Sequence, residues 1–142
     1  MWRGVPRPVA LPDTKAGLPA TYVPSQGEIE CVRAVAFTLT TGAGATPRQG
    51  SVTFLDPKGV PVAVCASPFT LAANKSQVVS LFVDGPQFGA DDAANVGGPL
   101  YERWLDGHVT LEIGALGLVG TDVLSDIRLD VCGYPADWYD ED

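Results

Sequence analysis

The sequence predicts an all-β protein, an antiparallel β-sandwich of the jelly-roll type with an extended N-terminal arm. Three observations support this fold class. Sixteen glycines and 12 prolines make up 28 of the 142 residues, a composition that favours many turns over long helices. Segments in which apolar and polar residues alternate recur along the chain, as they do in half-buried strands. No window shows the 3.6-residue period of an amphipathic helix.

The first long strand is predicted over residues 28–40, where the alternation is strict. The side chains predicted to face the core are Ile29, Cys31, Val35, Phe37 and Leu39. Those predicted to face solvent are Glu28, Glu30, Thr38 and Thr40. Only Arg33 interrupts the apolar face, so this strand is expected to cover one side of the core.

A β-hairpin is predicted over residues 51–66. Its turn is Asp56-Pro57-Lys58-Gly59, in which proline presets the backbone angle, aspartate caps the turn and glycine accepts a positive φ. Val60, Val62 and Val64 alternate along the returning strand. Pro61 has no N–H to donate, which predicts that this strand lies at a sheet edge.

Three further strands are predicted towards the C-terminus. Residues 77–83 are apolar on both faces, so this strand is either central in its sheet or meets a partner on one face. Residues 84–103 are rich in glycine and proline and predict a long loop, which is often functional. In the strands at 108–113 and 123–132, the side chains predicted to face inward are Val109, Leu111, Ile113, Val123, Ile127, Leu129 and Val131.

These elements divide the chain into three parts. Residues 1–24 hold five prolines and are predicted to form an extended arm, residues 25–133 the sandwich, and residues 134–142 an acidic, aromatic tail. Both end segments also carry large apolar side chains, which suit an extended chain that lies against another protein. The predicted interface residues are Trp2, Val5, Leu11, Trp138 and Tyr139.

The charge distribution bears on the class of partner. The net charge of −8 argues against binding to nucleic acid. Residues 1–83 carry seven basic and four acidic side chains, whereas residues 84–142 carry two basic and thirteen acidic ones. This asymmetry either orients the chain towards a charged partner or other copies of itself, or serves solubility alone.

Localisation is predicted from the apolar runs and the cysteines. No run approaches the ~20 apolar residues of a membrane-spanning helix, and the N-terminus lacks a signal-peptide core, so no membrane partner is expected. Cys31, Cys65 and Cys132 have neither the spacing of a zinc site nor that of a disulfide framework. They are expected to remain reduced, in a protein made and folded in a reducing cytoplasm.

Enzymatic chemistry is not predicted. His108 is the single histidine, lies at an outward strand position, and has no nucleophile-elbow motif to work with. Asp126 and Asp130 share a strand face but lie about 13 Å apart, too far for a glycosidase pair. Carboxylates suited to calcium occur at Asp91 and Asp92 and at Asp140–Asp142, but neither cluster has the spacing of an EF-hand loop, and solvated charge is the favoured interpretation of both. We therefore expect no catalytic residue, metal or cofactor.

The order of these features resembles small structural proteins encoded in the head and tail gene clusters of tailed bacteriophages. The resemblance covers residues 27–132. The residues that carry it are Cys31–Thr40, Pro47-Arg48, the Asp56–Gly59 turn, Leu105–Leu111 and Gly120–Leu129.

The resemblance implies a β-sandwich protein of the virion, most specifically a capsid decoration (cement) protein that bridges neighbouring capsomers. Its partners would be the major capsid protein, copies of itself, or both. The alternatives within this class are a head–tail completion protein and a tail structural protein. From another class, a carbohydrate-binding or host-adhesion module would also present aromatic side chains on a jelly roll. Trp104 could stack on a sugar in such a module, although a role as a core plug is favoured.

Overall fold

The computed structural model describes residues 5–24, 28–105 and 109–135. Within these residues the chain forms ten strands and no helix. In chain order the strands are β1 (Val5–Leu11), β2 (Ala20–Tyr22), β3 (Glu28–Thr40), β4 (Gln49–Leu55), β5 (Pro61–Ala66), β6 (Ser76–Val83), β7 (Asn95–Leu100), β8 (Trp104–Leu105), β9 (Thr110–Leu116) and β10 (Val123–Pro135).

The strands form two sheets that enclose one apolar core. The six-stranded sheet has the order β1-β10-β3-β6-β7, with β8 also paired to β3, and the four-stranded sheet has the order β2-β9-β4-β5. The β-sandwich prediction is therefore confirmed. Side chains from both sheets meet between them, among them Val35, Phe37, Val79, Leu81, Leu129 and Val131 from one sheet and Val52, Phe54, Leu111 and Ile113 from the other.

One strand lies inside the segment that was predicted to be a loop. Residues 95–100 form β7, which runs parallel to β6, whereas the two Greek keys of a jelly roll are antiparallel. The sequence hides this strand because Gly97, Gly98 and Pro99 are typical of turns. In the structure Gly97 gives room to a neighbouring ring, since a Cβ there would lie 2.1 Å from Phe88 Cε1.

The predicted hairpin is confirmed as β4 and β5. Asp56 Oδ1 accepts the backbone N–H groups of Lys58 and Val60, each at 2.9 Å, and Gly59 has a φ of 80°. The edge position predicted from Pro61 is also confirmed, because β5 ends the order of its sheet.

A β-bulge changes the predicted faces of β3. Ala34 lies opposite Asp130 and Val32 opposite Val131, so Arg33 has no partner residue in β10. The bulge inverts the alternation in the first part of the strand. Glu30, predicted to face solvent, is fully buried, whereas Arg33 is half-exposed.

A second bulge has the same effect on β10. Asp126 has a φ of 51°, and the register shifts between Ser125 and Arg128. As a result Leu124 is fully buried, and Val123, predicted to face the core, is only half-buried. After the bulge the inward positions are those predicted, namely Ile127, Leu129 and Val131.

A buried ion pair joins two distant segments of the chain. Arg48 and Asp122 are both fully buried, and the guanidinium Nε and Nη2 each donate to one carboxylate oxygen at 2.8 Å. Arg48 Nη1 also donates to the carbonyl of Thr46 at 2.9 Å. The carboxylate in turn accepts the N–H groups of Gly42 and Val119. Every charged group of the pair is thus hydrogen-bonded within the protein, as a buried ion pair requires.

The backbone around this pair is packed closely. A Cβ at Gly42 would lie 1.6 Å from Thr121 Oγ1 and 2.7 Å from Thr121 Cβ, so a larger residue there would have to displace Thr121. Burial alone would raise the pKa of Asp122, but hydrogen bonds from Arg48 and from two backbone N–H groups outweigh it and hold the pKa below its usual value.

We predict that Asp122→Asn destabilises the fold by about 3–5 kcal/mol, because it leaves the Arg48 charge buried without a counter-ion. Urea unfolding at neutral pH measures the loss. Asp126→Asn is the matched control, since Asp126 is exposed and asparagine tolerates its positive φ. A loss below about 1 kcal/mol in Asp122→Asn would contradict the structural role of the pair.

The lowered pKa of Asp122 also predicts how stability depends on pH. Its contribution is fully present above the unfolded-state pKa of about 3.9 and is lost as the pH falls through the lower folded-state pKa. Acid unfolding of the wild type should therefore steepen below about pH 4. The Asp122→Asn variant should lack this part of the pH dependence when unfolding free energies are compared across the acid range.

Candidate functional site

The structure incorporates part of the predicted arm into the sandwich. Residues 5–11 form β1, which pairs with β10 over its whole length from Val5 opposite Gly133 to Leu11 opposite Ile127. Leu11 is half-buried against the core. Residues 20–22 form β2 of the other sheet, so two strands lie before residue 25. Trp2, Trp138 and Tyr139 lie outside the described residues.

A buried carboxylate ties this N-terminal segment to the sandwich. Glu30 of β3 is fully buried and accepts hydrogen bonds from Arg7 of β1 and from the hydroxyl of Tyr22 of β2. Burial, together with the hydrogen bond to Glu30, raises the pKa of Tyr22 to about 12. The inverted alternation of β3 places Glu30 there, which is why sequence periodicity did not identify it.

Three of the four strands that end the two strand orders are poor sites for another strand to pair, and β8, which pairs with β3 alone, has only two residues. Pro6 and Pro8 lie on the same side of β1 and offer no N–H group. On β7, Gly97 exchanges two backbone hydrogen bonds with Phe88, at 3.2 and 2.9 Å. The third strand, β2, has only three residues. Short strands, prolines and covering loops are the usual protection of a sheet edge.

The fourth outer strand, β5, is open. It pairs with β4 alone among the described strands. Ser67 donates to the carbonyl of Gly50 at 2.9 Å, which fixes the side of the strand that faces β4. Because alternate residues of a strand direct their backbone groups to the same side, Val64 and Ala66 direct their N–H and C=O groups away from β4.

The side chains beside this open edge are apolar. Val60, Val62 and Val64 are 53%, 44% and 41% exposed, whereas Cys65 is buried. Tyr101 is 54% exposed, and its backbone N–H donates to Sγ of Cys65, on the inner face of the strand, at 3.3 Å. We refer to Val60, Val62 and Val64, with the free edge of β5, as the β5 surface. Alternation alone could not show that these valines face solvent.

The other candidates from the sequence have structural roles or lie outside the described residues. Asp91 accepts the N–H of Thr70 at 3.0 Å, and Asp92 accepts that of Ala72 at 2.7 Å. No group of three potential metal ligands occurs among the described residues. His108 lies outside them, and of Trp104 only the backbone, in β8, is described.

Among the described residues, one surface depression of about 220 Å³ lies along residues 11–21, and another of about 220 Å³ lies over the outer face of β4 and β9. In the part of the chain that the structure describes, no helix is long and apolar enough to cross a membrane. The β5 surface is therefore the candidate functional site.

Two of the three cysteines, although far apart in the sequence, are neighbours in the structure. Cys31 lies opposite Cys132 in the pairing of β3 with β10, and all three cysteines are free thiols. Burial raises the pKa of Cys31 and of Cys65, which keeps both as unreactive thiols. Cys132 is half-exposed.

Comparisons with known proteins find remote likenesses only. A chain in the crystal structure of the T13 viral particle of infectious bursal disease virus is 9% identical, with a TM-score of 0.39, over 93% of this chain and 32% of that chain. A chain of the Gx strain of the same virus is 7% identical, with a TM-score of 0.29, over 98% of this chain and 44% of that chain. The chain thus spans less than half of the length of either, and at these TM-scores the likeness supports no functional conclusion. No protein-family model and no curated protein matches the chain.

We predict that Tyr22 titrates near pH 12 in the folded protein. Absorbance titration of the wild type minus that of Tyr22→Phe isolates this tyrosine, with circular dichroism to confirm that both remain folded. Because the folded state retains a proton that the unfolded state loses, the stabilising contribution of Tyr22 should fall as the pH rises from about 10 to 12. A difference curve with its midpoint near 10 would contradict the buried contact with Glu30.

We predict that the purified protein contains three free thiols, which labelling under denaturing conditions can count. Under native conditions Cys132 should react first, because it is half-exposed and the other two are buried. Cys132→Ser is the control and should retain only slowly reacting thiols. Loss of two thiols in the wild type would instead indicate a disulfide between Cys31 and Cys132.

Proposed function

We propose that this chain is a non-enzymatic structural protein of a virus particle, and most specifically a decoration protein that binds and stabilises the capsid lattice. The sequence resemblance to phage structural proteins supports a location in the virus particle, and the open β5 surface supports a role in assembly. A stretch of unpaired backbone groups beside exposed valines is suited to another protein rather than to a small polar ligand.

The rigidity of the sandwich supports the same proposal. The segments that carry the resemblance include Pro47-Arg48 and Gly120–Leu129, and Arg48 and Asp122 from these two segments form the buried ion pair. A third segment is the hairpin turn at Asp56–Gly59. These residues hold strands and loops in place, which is the requirement of a protein that transmits mechanical load between neighbours on a shell.

The terminal segments provide further proposed contacts. We assign Trp2, Trp138 and Tyr139 to an interface with the major capsid protein or with neighbouring copies, since large aromatic side chains are common anchors of interfaces. Val5 and Leu11 belong to this proposed interface through β1, which lies at an edge of its sheet. In this proposal the end segments, residues 1–24 and 134–142, contact the particle, and residues 25–133 form the body of the sandwich. Residues 5–11 and 20–22 of the first segment are strands of the sandwich as well.

We predict that purified particles of the virus that encodes this chain contain it in many copies per particle. Quantitative mass spectrometry of density-purified particles, with the major capsid protein as the internal standard, measures the ratio. A few copies per particle would favour a head–tail completion or tail protein. Absence from particles, together with a glycan-array signal, would favour the host-adhesion alternative and overturn the proposal.

We predict that the double variant Trp138→Ala/Tyr139→Ala occupies fewer particle sites than the wild type, because it removes both proposed anchors of the tail. Occupancy is measured by adding purified protein to particles that lack it. Leu116→Ala, which trims an exposed apolar side chain at the end of β9, is the matched control and should retain full occupancy. Equal occupancy of the double variant would remove the tail from the proposed interface.

A further inference from the structure

We propose that Cys31 and Cys132 are a thiol pair that a disulfide oxidant such as oxidised glutathione converts, reversibly, into a covalent bond between β3 and β10. In the reduced protein both residues are free thiols. The inference does not depend on the proposed function, because it concerns the chemistry of the purified chain.

The two cysteines lie side by side on the outer face of the six-stranded sheet. They are directly opposite each other in the pairing of β3 with β10, and opposite residues direct their side chains to the same face. That face is the outer one, because the residue beside each of them, Val32 or Val131, packs in the core. Cys65 lies in β5 of the other sheet and is therefore remote from the pair.

The spacing of the two strands suits a disulfide at this position. Pro6 of β1 lies opposite Cys132 and has no N–H, so Cys132 directs its backbone groups towards Cys31, and the two cysteines form a hydrogen-bonded pair. The Cα atoms of such a pair lie about 5.5 Å apart, within the range of about 4.4–6.8 Å found in disulfides. The bond therefore requires no large movement of either strand.

The same geometry makes the bond easy to reverse. The Cβ atoms of opposite residues lie about 4.5–5.5 Å apart, whereas a disulfide holds them about 3.8 Å apart. The backbone must yield by about 1 Å, and the bulge at Arg33, next to Val32, is a place where β3 is less tightly held. Because a strained disulfide is reduced more readily than a relaxed one, this bond forms and breaks as the redox conditions change.

The difference in exposure between the two thiols sets the order of the steps. Cys132 is half-exposed and Cys31 is fully buried. The Cys132 thiolate attacks oxidised glutathione, which forms a mixed disulfide and releases one molecule of reduced glutathione. The Cys31 thiolate then attacks the Cys132 sulfur and releases the second. The protein loses two protons and two electrons in all, and the disulfide of the oxidant accepts them.

The buried thiol does not have to meet the oxidant. Burial raises the pKa of Cys31, and the nearby Arg33 guanidinium opposes this effect by favouring the thiolate. Because the sulfur under attack lies opposite Cys31 in the next strand, the second step is intramolecular, and a small fraction of thiolate is sufficient. Cys31 is thus inert towards reagents in solution and still completes the bond.

Oxidation of the folded, full-length chain tests the inference. Protein purified with reductant is treated with oxidised glutathione at neutral pH, then denatured, alkylated and digested with trypsin without reductant. Trypsin places the three cysteines in separate peptides, residues 16–33, 59–75 and 129–142. We expect the first and the last as one linked peptide, lighter than their sum by two hydrogen atoms, and recovery of both when dithiothreitol is added before alkylation.

Two variants separate the specific bond from general oxidation. Cys65→Ala leaves the pair intact, is the matched control, and should form the linked peptide as the wild type does. Cys132→Ser changes the half-exposed member and should keep both remaining thiols. Oxidation should raise the melting temperature of the wild type by about 5 °C or more, because the bond closes a long loop of the chain, and should leave that of Cys132→Ser unchanged.

Three alkylated cysteines after oxidation would overturn the inference, as would glutathione that stays on Cys132 while Cys31 remains free, a link to Cys65, or an unchanged melting temperature of the linked protein. None of these outcomes affects the particle assay, which measures binding to capsids. Conversely, absence from particles would refute the proposed function and leave this thiol chemistry intact.

Discussion

The buried pair of Arg48 and Asp122 is the interaction on which the rest of this sandwich depends. It fixes the loop from residue 42 to residue 46 through the carbonyls that Arg48 binds, and it fixes the turn before β10 through the N–H of Val119. These two segments bracket the starts of β4 and β10, one strand from each sheet. Burying a charge without its counter-ion costs several kcal/mol of folding free energy, roughly 3–5. The pair therefore favours the one arrangement of the two sheets in which Arg48 and Asp122 meet.

A second buried charge, that of Glu30, holds the N-terminal segment against the sandwich in the same way. Glu30 cannot be buried alone, and its partners Arg7 and Tyr22 come from β1 and β2. Those two strands therefore complete both sheets rather than lie loosely on them. The consequence for function is that buried, hydrogen-bonded charges tie the strands together at the centre of the sandwich, and that the edges and the terminal residues are left for new contacts.

The edges of the sandwich differ from one another in a way that matters for assembly. Prolines in β1, the Phe88 contact on β7 and the shortness of β2 each discourage pairing with another strand. On β5 the only proline is Pro61 at its first position, no described strand covers its outer side, and Val62 and Val64, with Val60 just before the strand, are exposed. An exposed edge of this kind favours aggregation unless another protein segment covers it.

The sequence by itself determined the fold class, the β4–β5 hairpin with its turn, and the edge position of β5, because these depend on local periodicity and on the backbone chemistry of proline and glycine. Only the tertiary structure decided the faces of the first part of β3 and of the start of β10, since a bulge at Arg33 and another near Asp126 invert the alternation on their N-terminal side. It likewise decided which residues meet. Arg48 and Asp122 are 74 positions apart, and Glu30 looked like a surface residue until the bulge placed it between Arg7 and Tyr22. Exposure of the β5 valines follows from the order of strands in the sheet, which alternation along one strand does not encode.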